Sequence, residues 1–262
     1  MSIHIVPIGL DSPERFMEGF KEYPPSKVIF LMGNNETEIE FEAVKIKEEV
    51  KNSIGKYVSI FERKAELFKF ADAMKTFAQI ITENKDEHPD ELIYINISSS
   101  TKVITQAAYI AASLFSARIY YVPAETYLST ELLPLLNCDD EELKKQKVYD
   151  FISDKKYLSM GVKQAYEIPV LKMQPPNKTE LDVLEAINST DKKKYNSVKD
   201  LVKNGLQMEY TGSRRNKYSQ IIKKLQINGF ISTTRSGREK GIKLTNSGKV
   251  IAEISDILLS SK

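Results

Sequence analysis

Along the first two thirds of the chain, short runs of β-branched and other apolar residues alternate with longer stretches of helical spacing. Ile3–Ile8 predicts a strand, and Asp11-Ser12-Pro13-Glu14 then opens a helix with a capping side chain, a proline and an acid in its first turn. Lys27–Met32 predicts a second strand, ended by Gly33-Asn34-Asn35, and Thr37 to about Ser53 a charged helix. Tyr57–Phe61 reads as a third strand. Leu67, Phe70, Ala71, Met74, Phe77, Ala78 and Ile81 then recur at three- and four-residue steps, the period of one buried helix face. Glu91–Ile97 predicts a fourth strand, Thr101–Phe115 an alanine-rich helix and Arg118–Val122 a fifth strand. Strands alternating with helices imply parallel crossover units, hence a Rossmann-like, mostly parallel sheet covered on both faces.

Beyond Pro123 the pattern loosens. The charged stretch Asn137–Lys147 reads as a solvated turn or helix face. Ala165–Met173 predicts one more strand, at a sheet edge because Pro169 interrupts it. Pro175-Pro176 forms a stiff junction, and the domain boundary is expected there, with residues 1–173 before it and 174–262 after it.

The second part reads as a winged helix-turn-helix. Thr179–Asn188 is a helix with Asn177 or Thr179 as cap, Lys192–Lys194 a basic loop, and Ser197–Asn204 a short helix stopped by Gly205. A third helix, capped by Thr211 or Ser213, runs to Asn228, with Gly229 past its end. Tyr218, Ile221, Ile222 and Leu225 form its buried stripe, leaving Arg214, Arg215, Lys217, Gln220 and Lys224 on other faces. Phe230–Thr234 and Ile242–Leu244, joined by the basic loop Arg235–Gly241, predict a hairpin wing, and Thr245-Asn246-Ser247-Gly248 opens a last helix to about Leu259.

Charge sharpens this division. Residues 1–173 hold 21 Lys and Arg against 27 Asp and Glu, a net of −6; residues 174–262 hold 17 against 9, a net of +8. A polyanion partner for the second half follows, and double-stranded DNA fits the fold. A helix enters the major groove N-terminus first, where Arg214 and Arg215 would grip phosphate or guanine. Arg235 and Arg238 flank the wing tip, where guanidinium groups can enter a narrow minor groove. Lys192–Lys194, Lys217 and Lys224 would add salt-sensitive phosphate contacts. Protein contact is the blander use of such a domain.

The remaining composition mostly excludes. No apolar run approaches the roughly 20 residues that span a bilayer, and Met1 leads into the first strand without a signal-peptide pattern, so a cytoplasmic protein is expected. Cys138 is the sole cysteine and reads as passive; with His4 and His88 it cannot build a structural zinc site of four Cys and His ligands. No metal or cofactor is expected. Neither histidine suits a catalytic triad, and the basic half shows no carboxylate cluster for metal-assisted hydrolysis.

Open α/β sheets bind ligands at the C-terminal ends of their strands, where helix N-termini supply N–H groups. Two loops there carry suitable chemistry: Pro7-Ile8-Gly9-Leu10-Asp11-Ser12 and Asn96-Ile97-Ser98-Ser99-Ser100-Thr101-Lys102. Ser and Thr are also ordinary helix caps, and neither a Walker A motif nor a GxGxxG fingerprint is present. The strand–NISSSTK–helix unit resembles the N-[IVL]-[TS]-[GS]-G-T-K signature of CARF domains, the CRISPR-associated Rossmann-fold sensors. A CARF domain followed by a winged helix resembles the archaeal CARF transcriptional regulators over the entire chain. One departure is serine, at Ser99 or Ser100, where the family commonly has glycine.

That resemblance implies a homodimer sharing one cyclic oligoadenylate, most often the tetra-adenylate, across a two-fold axis. Ser98, Ser99, Ser100, Thr101 and Lys102 would contact phosphates and ribose, while Gly9, Leu10, Asp11 and Ser12 would line the rim or contact adenine. Ala107, Ala108, Ala111 and Ala112 suit close packing either at the dimer centre or on the sheet. The HEPN ribonuclease effector of some CARF proteins needs a His shortly after an Arg, and no His follows residue 88. The expectation is therefore a DNA-binding regulator rather than an enzyme. Two alternatives stand beside it: a ring nuclease, slowly cleaving the bound ring with a ribose 2′-hydroxyl as nucleophile, or a regulator sensing another anionic metabolite.

Overall fold

The computed structural model describes residues 2–34, 37–137, 139–153, 157–190, 194–236 and 239–260. Asn35, Cys138, Lys192, Lys193, Gly237 and Arg238 lie outside them. The chain separates into two compact units, Met1–Met173 and Gln174–Lys262.

The first unit runs β1 (Ser2–Pro7), α1 (Pro13–Glu22), β2 (Pro25–Gly33), α2 (Glu38–Ser53), β3 (Ser59–Ala65), α3 (Phe70–Glu87), β4 (Leu92–Asn96), α4 (Lys102–Phe115) and β5 (Arg118–Tyr121). It continues through β6 (Thr126–Tyr127), α5 (Leu128–Leu136), α6 (Glu141–Ser153), β7 (Ser159–Met160) and β8 (Tyr166–Ile168). The main sheet has the order β3-β2-β1-β4-β5-β8, parallel except for the antiparallel edge strand β8. β1 and β2 sit over α1 and α2 through Val6, Val28 and Phe30, against Phe16, Phe20, Ile46 and Val50. Alternation along the strands turns Ile3, Ile5, Ile29 and Leu31 to the other face, where α3 and α4 pack together. Ala107, Ala108, Ala111 and Ala112 are all fully buried, so the alanine stripe of α4 is taken up within the unit.

Several elements depart from their sequence patterns. β3 begins at Ser59 and continues to Ala65, because an edge strand pairs through its backbone while Glu62, Arg63 and Lys64 face water. Leu67 is buried but precedes α3. α5 forms despite Pro134 inside it, whereas the charged stretch after it takes the second of its two expected forms, a solvated helix, as α6; neither helix has a buried residue among the described ones. β8 is short, ending just before Pro169.

The second unit runs α7 (Lys178–Ser189), β9 (Lys194–Tyr195), α8 (Val198–Asp200) continued by a π-type turn over Leu201–Gly205, then α9 (Gly212–Ile227). β10 (Ile231–Ser236), β11 (Glu239–Leu244), α10 (Asn246–Glu253) and α11 (Ser255–Ser260) complete it. The wing strands β10 and β11 pair antiparallel from Ile231↔Leu244 out to Ser236↔Glu239, so Arg235, Lys240 and Gly241 belong to strands rather than to the loop. Lys194 likewise sits in a strand, opposite Lys243. The last helical segment breaks at Ile254 into two. Asn177 and Glu180 cap α7 reciprocally, each backbone N–H donating to the other's side chain at 3.0 Å. Glu180 is almost wholly buried and also meets the Lys224 ammonium of α9 at 2.5 Å.

One polar group is deep in the first unit. His4 lies in β1 with 0% exposure. Ser2 commits its proton to the Pro24 carbonyl at 2.9 Å, so His4 Nε2 donates to Ser2, and Nδ1 accepts from the Tyr120 hydroxyl, each at 3.1 Å. Burial drives the imidazole pKa down to about 3, against a weaker opposing backbone hydrogen bond at Tyr23. The unfolded chain therefore binds a proton near pH 6.5 that the folded chain refuses, so stability falls as pH drops below that value. Between pH 7.5 and 5.5 this costs about 1.4 kcal/mol, a slope that denaturant titration should detect and His4→Phe should remove. An unchanged slope in that variant would contradict a neutral buried imidazole.

Candidate functional site

β1 is followed by β2 on one side in the sheet and flanked by β4 on the other, so the order of connection reverses between β1 and β4. Chains leaving these two strands diverge and leave a crevice at the head of the sheet. The loops that follow meet at Gly9. A Cβ there would run into the carbonyl oxygen and hydroxyl of Ser99, so only glycine allows the approach.

A cleft of about 630 Å³ opens beside this crossing, walled by Asp11, Arg15, Ser98, Ser100, Tyr121, Tyr127 and the start of α5. A second recess of about 380 Å³ lies on the β2 side of the same loops, lined by Gly9, Leu10, Ser99, Thr101, Glu40 and Phe68. Asp11 and Ser100 border both.

The structure sorts the hydroxyls of the two loops. Ser12 caps α1, accepting from the Glu14 N–H at 3.3 Å, and Thr101 caps α4, accepting from the Ile104 N–H at 3.3 Å. Ser98 is a strut: its hydroxyl accepts from the Val122 N–H at 2.8 Å, while its own N–H donates to Asn96 Oδ1 at 2.8 Å. Ser99 and Ser100 differ, since their hydroxyls are buried and have no hydrogen-bond partner among the described residues. Leu10 borders the second recess and its carbonyl accepts from the Leu158 N–H at 3.0 Å. Lys102 is exposed at the first position of α4 and is not among the side chains lining either recess.

Three cleft residues have no place in the sequence reading. Arg15, buried on α1, makes an ion pair with Asp11 at 2.8 Å and donates from Nε to the Val122 carbonyl at 2.8 Å. Its only signal in the sequence is an arginine four residues after an aspartate, on the helix face that also carries Phe16 and Phe20. Tyr121 and Tyr127 face each other with their hydroxyls 2.7 Å apart. Burial, then the hydrogen bond to Tyr127, pushes the Tyr121 phenol up to about 12. It offers a neutral hydroxyl to the cleft at ordinary pH. Nothing in the sequence pattern marks Tyr127.

In the second unit, α9 carries the expected basic side chains, and they are not equally free. Arg215, Lys217 and Gln220 are exposed, the Lys217 ammonium standing 5.6 Å from the Tyr218 ring centroid. Arg214 is half-buried and donates to the Glu209 carbonyl at 2.8 Å. Lys224 is exposed but holds Glu180. Arg235 lies in β10, its backbone paired with Lys240, and Arg238 is outside the described residues. Among the described residues, no helix is long and apolar enough to cross a membrane, and no group of three His, Cys, Asp or Glu side chains is placed to hold a metal ion.

Residues 2–127 match the family described as HFX_2341_N-like, N-terminal, and residues 130–256 match the DUF6293 C-terminal winged helix domain. The second match starts inside α5 and so takes in α6, β7 and β8 of the first unit. No curated protein matches the chain. Among solved structures, Csm6 of Enterococcus italicus bound to cyclic hexa-2′-fluoro-hexa-dAMP is 16% identical, with a TM-score of 0.44 over 87% of this chain and 56% of its own. Can2 from Sulfobacillus thermosulfidooxidans in complex with cyclic tetra-adenylate is 14% identical, with a TM-score of 0.36 over 97% of this chain and 61% of its own. Protein VC1899 from Vibrio cholerae is 11% identical, with a TM-score of 0.35 over 99% of this chain and 66% of its own. The chain thus spans between 56% and 66% of the length of these three structures. The two family matches run in tandem over residues 2–127 and 130–256, so the chain is similar to an HFX_2341-like N-terminal domain followed by a DUF6293 C-terminal winged helix domain.

Proposed function

We propose that this protein is a ligand-responsive, DNA-binding transcription regulator of the cytoplasm. Its first unit, residues 1–173, senses a cyclic oligoadenylate, with cyclic tetra-adenylate the leading candidate, and its second, residues 174–262, binds double-stranded DNA. Two copies share one ring across a two-fold axis, which also presents paired α9 helices to a palindromic site. The observation that carries the sensor reading is the pair of buried hydroxyls, Ser99 and Ser100, that have no partner among the described residues, where the loops after β1 and β4 cross. Buried polar groups are normally hydrogen-bonded, so unpaired ones beside an open cleft favour a ligand that completes them. The resemblance of Asn96–Lys102 to the CARF nucleotide loop supplies the chemical class of that ligand.

Support for DNA comes from the exposed Arg215, Lys217 and Gln220 on α9 and from the net charge of +8 on residues 174–262. Ligand changes DNA affinity only if it favours one arrangement of the dimer over another.

Calorimetric titration of the full chain with cyclic tetra-adenylate should give one ring per two chains. Ser99→Ala and Ser100→Ala should each weaken binding by about tenfold, the scale of one hydrogen bond to a charged group. Ser12→Ala should instead cost about 1 kcal/mol of stability through its lost cap, with affinity nearly unchanged. A ring that binds Ser99→Ala and Ser100→Ala as it binds the wild type would place the ligand elsewhere. On DNA, Arg215→Ala and Lys217→Ala should each lower the slope of log affinity against log salt by about 1. Lys224→Ala should lower it less, because its ammonium is held by Glu180. A slope unchanged in the first two variants would contradict α9 as the DNA-facing helix.

A further inference from the structure

We propose that Arg15 is the anion anchor of the cleft, taking a phosphate oxygen of the ligand on Nη2. This rests on the cleft being the ligand site and names the cation that makes it one. Arg15 is 1% exposed and heads the large, fully buried side chains of the protein. Nε donates to the Val122 carbonyl at 2.8 Å, and Nη1 meets Asp11 at 2.8 Å and Ser159 Oγ at 3.5 Å. The Ser159 hydroxyl in turn donates to Asp11 at 2.5 Å. Nη2 is buried and has no hydrogen-bond partner among the described residues.

A guanidinium carries five N–H donors in a fixed fork. Here the protein occupies Nε and Nη1, on opposite sides of the guanidinium, and Nη2 between them has no hydrogen-bond partner within 3.5 Å among the described residues, with the Tyr121 side chain close by. Leaving a buried charged donor unpaired costs a fold stability with no structural return. The return comes if an oxyanion enters the cleft that Arg15 borders, where Ser100 supplies a second unpartnered donor. The rings of Tyr121 and Tyr127 lie 5.4 and 5.9 Å from the guanidinium carbon, so their faces favour the cation. Lys102 lacks all of this: it is exposed and outside the lining of the cleft. Asp11 balances the charge of Arg15 and also competes with an incoming phosphate for it.

That competition separates an anchor from a latch. If Arg15 only ties the loop after β1 to β5 and β7, weakening the tie through Asp11→Asn loosens the cleft and lowers anion affinity. If Arg15 is the anchor, Asp11→Asn removes a repelling charge and raises it. Tripolyphosphate is the probe, because it has no base or ribose for Asp11 to contact, and cyclic tetra-adenylate is titrated in parallel into the full chain. Arg15→Lys should weaken both ligands at least tenfold, since one ammonium cannot hold Val122 and Asp11 and still reach the ligand as the planar guanidinium does. Asp11→Asn should tighten tripolyphosphate by about three- to tenfold.

Tripolyphosphate that binds Arg15→Lys as it binds the wild type, or loses affinity in Asp11→Asn, overturns the anchor, as does wild-type protein that takes up no phosphate anion. If the ring binds but ignores Arg15→Lys, the anchor fails and the sensor reading stands. If only tripolyphosphate binds, and does so through Arg15, the anchor stands and the cyclic oligoadenylate reading fails.

Discussion

The head of the sheet depends on how closely two backbones approach at Gly9. β1 and β4 are neighbours in the sheet but far apart in sequence, and the loops leaving them cross so tightly that a Cβ on Gly9 would run into the carbonyl and hydroxyl of Ser99. Everything nearby inherits that constraint. Ser98 is pinned to the end of β5, Ser12 and Thr101 close the helices that follow each loop, and Ser99 and Ser100 keep buried hydroxyls that no other described residue pairs with. A side chain at Gly9 would push the loops apart and dissolve the cleft before any ligand arrived.

Much of the first unit was legible because parallel strands buried on both faces read as continuous apolar runs. β1, β2, β4 and β5 are recognisable to within a residue or two. β3 was misplaced for the converse reason: as an edge strand it needs no apolar run, and Glu62–Lys64 pair with β2 through backbone alone. α5 was illegible because Pro134 argues against a helix and none of its residues is buried to impose a period. In the second unit, caps and glycines marked the ends of α7, α8 and α9 well, whereas the register of the wing follows from strand pairing that local pattern does not encode.

The site divides along the same line. Position along the chain revealed the two loops, since strand–loop–helix is a local pattern. It could not reveal which hydroxyls are spent. Ser98 and Ser100 look equivalent in NISSSTK, yet one is committed to the Val122 N–H and the other is not. Arg15 was hidden because its partners Val122 and Ser159 are 107 and 144 residues away in sequence. Lys224 is the reverse case: a basic residue on an exposed helix suggests phosphate contact, and the structure adds an ion pair with the buried carboxylate Glu180. Charge in a sequence indicates partners of opposite sign without saying whether they are intramolecular.

If the two units are halves of one switch, ligand in the first must change DNA affinity in the second, and both are best read at once. A labelled duplex, selected by the full chain from a random pool, can be titrated with the protein in fluorescence anisotropy, without ring and with saturating cyclic tetra-adenylate at fixed salt. The account predicts a shift in dissociation constant of roughly fivefold or more, the scale of ordinary coupling between sites. Identical curves with and without a ring shown to be bound would contradict it, leaving a nucleotide-binding unit and a DNA-binding unit that do not communicate.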